Sequence, residues 1–487
     1  MKSKLSVLLT LLLGLNVFLF AQKNKPKTGR EIKFTITHAV DSVVYLASHY
    51  KDKIIVMDSA RVVTPGVFIF SAADTLKDGL YMLVSQAHKP YVSFIIDRNQ
   101  HFSIKGDTSG TLSKIEIQNS PENLRLLEFS KKSSEANTTL KAYREKYAEF
   151  EKAERKDSME FYKEKSKNLT ETMNRYVDGI IENEGHTLFG KMQRAYKEID
   201  IPQNTENAED DNSFIIYYYR THFWDNIDLK EDRLIYTPVL YPKLTDYFDR
   251  VLQYADADTI THYINLLLNK VDPNSELFRY FLDYLTYHYE TSKILGHDAV
   301  FVNIAKTYQL QGKCTWLDSV IVEKYANKIR KMEPTLIGEK APLLLMPDTA
   351  MSPHIKDWHS NYDFERDFEI MWFFDPDCGT CKKETKKLIE LYNERAKGLG
   401  INVYAVCIDN DIDRWKRYII EHKFPFLCVG GNTANIDFKE VYNIIGTPAM
   451  FILDKNRKII LNKRVDIEQI PEFLEQHRRI EEAKKKN

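Results

Sequence analysis

Residues 368–384, Phe-Glu-Ile-Met-Trp-Phe-Phe-Asp-Pro-Asp-Cys-Gly-Thr-Cys-Lys-Lys-Glu, restrict what this chain can become more than any other stretch. The apolar run from Phe368 to Phe374 reads as a buried strand, and Asp375-Pro376-Asp377 breaks it. Leu388, Leu391, Tyr392, Arg395 and Leu399 then recur at helical spacing, with Gly398 and Gly400 as candidate stops. Cys378 and Cys381 therefore fall where a strand feeds the first turn of a helix. The free N–H groups and positive dipole end of that helix favour a thiolate at Cys378.

The thiolate is the form that attacks a disulfide. A fall in thiol pKa from ~8.5 to ~6.5 raises the thiolate fraction roughly 25-fold at pH 7. It also lowers intrinsic nucleophilicity about 8-fold, so acidity alone gains about threefold. The better leaving group, and a second thiol held close enough to resolve a mixed disulfide within the molecule, matter more. A structural staple closing so short a loop would contribute only ~2 kcal/mol. Half a zinc site would need a second ligand pair, and Cys407, Cys428 and His422 are isolated from one another. Redox chemistry is favoured over both alternatives, and no metal ligand set is assigned.

Lys2 and Lys4 precede an uncharged run from Leu5 to Phe20, followed by Ala21 and a polar basic stretch from Gln22 to Arg30. Residues 1–21 read as a secretory signal peptide with cleavage after Ala21, although Leu19 is large for its place before the cut. The run is short of the ~20 residues a membrane span needs, which makes an uncleaved anchor the lesser reading. The mature chain is expected outside the cytoplasm, in the periplasm or cell envelope. Lys and Arg number 69 against 70 Asp and Glu, a net charge of −1, which leaves no electrostatic footprint for nucleic acid. Five cysteines are too few for a disulfide scaffold in an exported chain of 487 residues, so the close pair stands out.

Composition divides the rest of the chain into three regions. Residues 31–118 hold eight short runs rich in β-branched and aromatic residues: 31–37, 42–48, 53–62, 67–71, 81–85, 91–96, 101–105 and 114–118. Asp-Ser, Lys-Asp, Pro-Gly and Asp-Gly breaks separate them, the pattern of an antiparallel β-sandwich. Residues 119–335 are glycine-poor and amphipathic, an α-helical domain in which Lys141 to Lys167 reads as a solvated, charge-rich face. Within it, Phe214 to Tyr219 and then Phe223-Trp224 read as core, and Cys314 as a lone thiol. Residues 336–487 alternate strand and helix. Strands are expected at 369–374, 402–408, 426–429, 449–453 and 458–462, and helices at 381–397, 412–422 and 467–483, an α/β layer fold. Gly446-Thr447-Pro448, directly before a strand, is a candidate cis peptide.

Residues 337–487 resemble the thioredoxin superfamily, specifically the exported TlpA/ResA-like thiol–disulfide oxidoreductases. The resemblance is carried by Phe373 to Glu384, by Gly446-Thr447-Pro448, and by Ile452-Leu453-Asp454 followed by Lys458-Ile459-Ile460. It implies a thioredoxin fold with Cys378 attacking and Cys381 resolving, Pro448 cis beside the pair, and the backbone of Thr447 pairing with an extended substrate. It also implies that Glu384 influences thiol protonation. Two departures stand out: Trp372 replaces a buried aspartate of thioredoxin itself, and Asp377 and Gly379-Thr380 replace its tryptophan and Gly-Pro. The upstream regions resemble, in overall pattern, the DUF4369-like β and DUF5106-like helical domains that precede such modules in Bacteroidetes envelope proteins.

The implied activity is reduction or isomerisation of disulfides in envelope proteins. Its partners are disulfide-containing proteins and an unidentified membrane or envelope electron donor, and no cofactor beyond the dithiol is called for. Asp375 stands where a peroxiredoxin would have threonine, against that relative. The competing reading is an envelope binding or assembly protein whose thioredoxin-like domain is regulatory or a docking module.

Overall fold

The computed structural model describes residues 29–202, 211–349, 358–431 and 433–486. The expected signal peptide lies outside these residues. Among the described residues no helix is long and apolar enough to cross a membrane. The described residues divide into two compact units, those up to residue 253 with 275–277, and those of 254–274 with the ones from 278 onward.

In the first unit, alternating patterns give eight strands: β1 Arg30–Thr37, β2 Val43–Tyr50, β3 Lys53–Thr64, β4 Val67–Ala72, β5 Gly79–Val84, β6 Pro90–Ile96, β7 His101–Asp107 and β8 Glu116–Gln118. They form one curled sheet in the order β6-β5-β2-β3-β4-β1-β7-β8. The twelve-residue β3 pairs with β2 along Lys53 to Arg61 and with β4 at Val62 and Thr64, and so joins the two halves. The inward residues Phe34, Phe68, Phe70, Phe94 and Ile104 are fully or almost fully buried. Phe34 on β1 meets Phe94 on β6 at 5.1 Å between ring centres, across the core. One pairing departs from the expected antiparallel pattern. β1 and β7 run parallel, Phe34 opposite Ile104, because five strands intervene before the chain returns to β1.

Two long helices follow, α1 Pro121–Lys152 and α2 Lys156–Glu184. Asn123 fastens α1 to β6, its amide accepting from Ile95 N (2.6 Å) and donating to Ile95 O (2.7 Å). The stretch from Lys141 to Lys167 is largely solvated, as its charge pattern implied. Next come α3 Leu188–Tyr196, α4 Asp211–His222 and α5 Leu240–Thr245. The aromatic run on α4 is not core: Ile216 and Tyr217 are 50% and 64% exposed, and it is Phe223 and Trp224 beyond the helix that are buried. Six consecutive apolar residues point all round a helix, so a helix lying on a surface can bury only one stripe of them.

The second unit holds α6 Ala257–Leu268, most of α7 Glu276–Thr291, α8 His297–Ile304 and α9 Ser319–Met332, and then the α/β layer. A small hairpin of β9 Leu345–Pro347 and β10 Trp358–Ser360 precedes β11 Phe368–Phe374. After β11 come α10 Gly379–Leu399, β12 Ile401–Cys407, α11 Ile412–His422, β13 Leu427–Val429, α12 Phe438–Val441, β14 Ala449–Asp454, β15 Ile459–Leu461 and α13 Ile470–Lys486. The sheet order is β13-β12-β11-β14-β15, with β11, β12 and β13 parallel and β14 and β15 antiparallel. Every residue of the central β11 is buried. Phe368, Ile370, Trp372 and Phe374 pack with Leu388 and Leu399 of α10, Trp415 of α11 and Leu474 of α13. Met371 and Phe373 meet Leu344, Phe438 and Tyr442 on the other face. Each large apolar side chain so buried contributes roughly 1.5–3 kcal/mol. Gly400, at φ 63°, ends α10, while Gly398 lies inside the helix.

Candidate active site

The chemistry of β11, the turn and α10 follows from where the strand stops. Pro376 is buried and cannot donate to the sheet. Asp375 O accepts from Cys378 N (3.1 Å), and Asp375 Oδ1 accepts from Asp377 N (2.8 Å), closing the turn. Cys378 is then the N-cap of α10, its Sγ accepting from the Cys381 N–H at 3.2 Å. A sulfur here does what a serine or aspartate oxygen does at other helix starts, and its anion gains most from it.

The loop before β14 closes on the same sulfur. The Thr447–Pro448 peptide is cis, Pro448 is buried, and Cys378 Sγ lies 3.3 Å from Thr447 O, to which the protonated thiol donates. Four of the sequence-predicted site residues thus come together: Cys378, Cys381, Thr447 and Pro448. Glu384 is buried one turn along α10, with its Oε1 3.4 Å from Lys387 Nζ and 4.0 Å from Arg464. Its Oε2 is buried without a hydrogen-bond partner among the described residues.

The two thiols are unequal. Burial pushes Cys378 up, but hydrogen bonds from the Cys381 thiol and from backbone N–H groups of the first turn outweigh it, and its pKa lies below the ordinary thiol value. Cys381 is fully buried, and burial first, then its neighbour Cys378, push it up to about 12. Three pH units separate thiolate populations about a thousandfold, and the Brønsted offset returns roughly 30-fold of that to the more basic sulfur. Iodoacetamide at pH 7 is therefore expected to modify Cys378 at least about 30-fold faster than Cys381, as read by peptide mass mapping, and burial of Cys381 widens the gap. Equal rates would contradict this ordering. Cys407 and Cys314 are pushed up to about 12 and about 11 by burial, and Cys428 well above its usual value, so all three are inert packing thiols.

Two groups escaped the sequence reading. Arg414, on α11, forms ion pairs with Asp377 in the turn and with Asp409 (3.3 Å) and Asp411 (3.3 Å), tying the turn to the neighbouring helix. Only the tertiary fold brings Asp377 to Arg414. Glu369 sits on β11, 1% exposed, with Oε2 accepting from Asn402 Nδ2 at 3.0 Å, and burial raises its pKa to about 8. A carboxylate inside an otherwise apolar strand was the available signal. Trp372 fills the place of the absent aspartate, buried, its Nε1 donating to Thr385 Oγ1 at 3.3 Å. No group of three or more candidate metal-ligating side chains occurs among the described residues.

Comparison with known families agrees with this geometry. Residues 367–459 match the thioredoxin-like family, and residues 145–333 match a domain of unknown function, DUF5106. The chain belongs to the thioredoxin superfamily through its C-terminal domain. More particularly, it is a multidomain member that carries a DUF5106 region ahead of that domain. Among solved structures it is similar to a thioredoxin-like protein from Bacteroides caccae (17% identity, 58% of this chain and 99% of that one, TM-score 0.44). It is also similar to a domain of a possible thiol-disulfide isomerase from Cytophaga hutchinsonii (34% identity, 31% and 98%, TM-score 0.28). A third is the thioredoxin domain of a thiol-disulfide oxidoreductase from Bacteroides vulgatus (27% identity, 29% and 96%, TM-score 0.25). Comparison with curated proteins gives no match.

Proposed function

We propose that this protein is an exported thiol–disulfide oxidoreductase that reduces or isomerises disulfides of envelope proteins. The observation that carries the reading is the asymmetric pair at the start of α10. Cys378 is accessible and its thiolate is favoured, while Cys381 is buried directly behind it with its proton retained. The Cys378 thiolate attacks one sulfur of a substrate disulfide, forming a mixed disulfide and expelling the other sulfur as a thiolate. Cys381 then loses its proton and attacks Cys378 Sγ, releasing the second substrate thiol and leaving a Cys378–Cys381 disulfide. Two electrons and two protons pass to the substrate, and a membrane or envelope dithiol donor returns them.

The main chain of Thr447, beside Pro448, is the edge against which an extended substrate pairs, once its carbonyl is released by the Cys378 thiol. We assign Glu384, one turn along α10 from Cys381, to influencing thiol protonation. Export rests on the sequence of residues 1–21.

Titration of the chain in glutathione buffers, with thiol trapping and mass readout, tests the reading. Cys378 and Cys381 should oxidise together in one reversible two-electron transition, while Cys314, Cys407 and Cys428 stay reduced. Absence of a reversible couple would end the proposed activity.

A further inference from the structure

A cavity of about 310 Å³ opens beside the cis-proline loop, within the second unit. Pro448, Phe451 and Tyr442 of the thioredoxin-like domain form one wall, and Tyr289 and Asp298 of the helical segment form the other, with Asn462 between them. Its size suits one amino-acid side chain with its water. Thr447 O touches the attacking sulfur, and the very next residue lines this cavity. A polypeptide paired along Thr447 would therefore carry neighbouring side chains to its mouth.

The polar groups of the cavity are unevenly satisfied. Glu290 is paired with Lys328. Lys463 Nζ donates to Ser292 O (3.1 Å) and Ile294 O (2.7 Å), and Arg464 faces Glu384 (4.0 Å). Asn462 Nδ2 donates both to Asp298 Oδ2 and to Thr335 O, which fixes the orientation of its amide. Two oxygens are left over, Asp298 Oδ1 and Asn462 Oδ1, both buried and without a hydrogen-bond partner among the described residues. Buried acceptors left in this state cost free energy that a donor recovers. A guanidinium or ammonium supplies several donors to these two oxygens and joins Lys463, which already interacts electrostatically with Asp298, while its aliphatic stem packs on the aromatic wall.

We infer that this cavity is a specificity pocket that takes an arginine or lysine side chain of the substrate polypeptide, near the cysteine under attack. The inference rests on the proposed oxidoreductase reading, and it makes the helical segment part of the substrate site. Asp298 holds the cation, and Asn462 holds both Asp298 and the entering donor.

The test uses the full chain in its reduced form with short peptides linked through a single cysteine to a chromogenic thiol. Each peptide carries arginine, alanine or glutamate within about three residues of that cysteine, the reach of the neighbouring backbone. The expected kcat/KM is about tenfold or more higher for arginine than for glutamate at the best position, the worth of one charge-assisted hydrogen bond. Asp298→Asn, which preserves shape, should bring that ratio close to one, and Asp298→Ala should do the same. A ratio near one in the unaltered protein at every position overturns the pocket, as does a preference that survives both substitutions. Glutathione disulfide, which offers no such side chain, separates the two failures. Turnover of it without any peptide preference sinks the pocket alone, and no turnover of any disulfide sinks the oxidoreductase reading and the pocket with it.

Discussion

Cys378→Ser is expected to reduce insulin disulfide reduction by the full chain by at least about a hundredfold, because no other thiol can take over the attack. Cys381 is buried with its pKa pushed up to about 12, and Cys314, Cys407 and Cys428 are buried. A serine hydroxyl at the same N-cap still accepts the Cys381 N–H, so the fold survives while the nucleophile is lost. Cys381→Ser has a different signature. Attack by Cys378 proceeds, resolution does not, and the mixed disulfide accumulates on non-reducing gels, where its partner can be identified by mass. Equal insulin reduction by Cys378→Ser and the unaltered protein would remove the enzyme reading and leave the binding or assembly alternative. Turnover by Cys381→Ser at the unaltered rate would show that resolution comes from elsewhere.

Glu369→Gln is expected to stabilise the protein, by an amount that grows with pH. The carboxyl of Glu369 has a folded-state pKa of about 8, raised first by burial, against an unfolded value near ~4.3. Between those values the folded chain holds a proton that the unfolded chain releases, so stability falls as pH rises. The loss begins above pH ~4.5, accumulates at about 1.4 kcal/mol per unit, and levels off above pH ~8. At pH 7 it amounts to roughly 3.6 kcal/mol. Glutamine carries no proton to release, and its oxygen can still accept from Asn402 Nδ2. Denaturant unfolding at pH 5 and pH 8 measures the effect. The stability difference between the two proteins should grow by about 3.5 kcal/mol from pH 5 to pH 8. A constant difference across that range would mean that Glu369 does not change its protonation there.

Much of this was legible in the chain itself. All eight strand runs of residues 31–118 form strands, because alternation such as that of inward Ile32 and Phe34 with outward Lys33 and Thr35 has one solution on a pleated surface. The strand–turn–helix at Cys378 was readable because proline ends the strand and helical spacing begins at once. Local rules served less well on α4, where Ile216 and Tyr217 face solvent: apolar content shows that a helix forms but not which stripe is covered. The hairpin of β9 and β10 escaped because its strands are three residues long, too short for a period to register.

The sequence by itself placed two cysteines at a helix start, the pattern from which the proposed redox reading is drawn. It also showed the order of the longer elements, since periodicity is a local property. Tertiary structure added that Cys381 is fully buried and that Thr447 O closes on Cys378, because burial and hydrogen bonding depend on neighbours distant in the chain. It decided too that Arg414 steadies the active-site turn, that Glu369 is dry, and that Asp298 and Asn462 face one cavity beside Pro448. Electrostatic free energies are set by what surrounds a group in space, and a residue's place along the chain carries little of that.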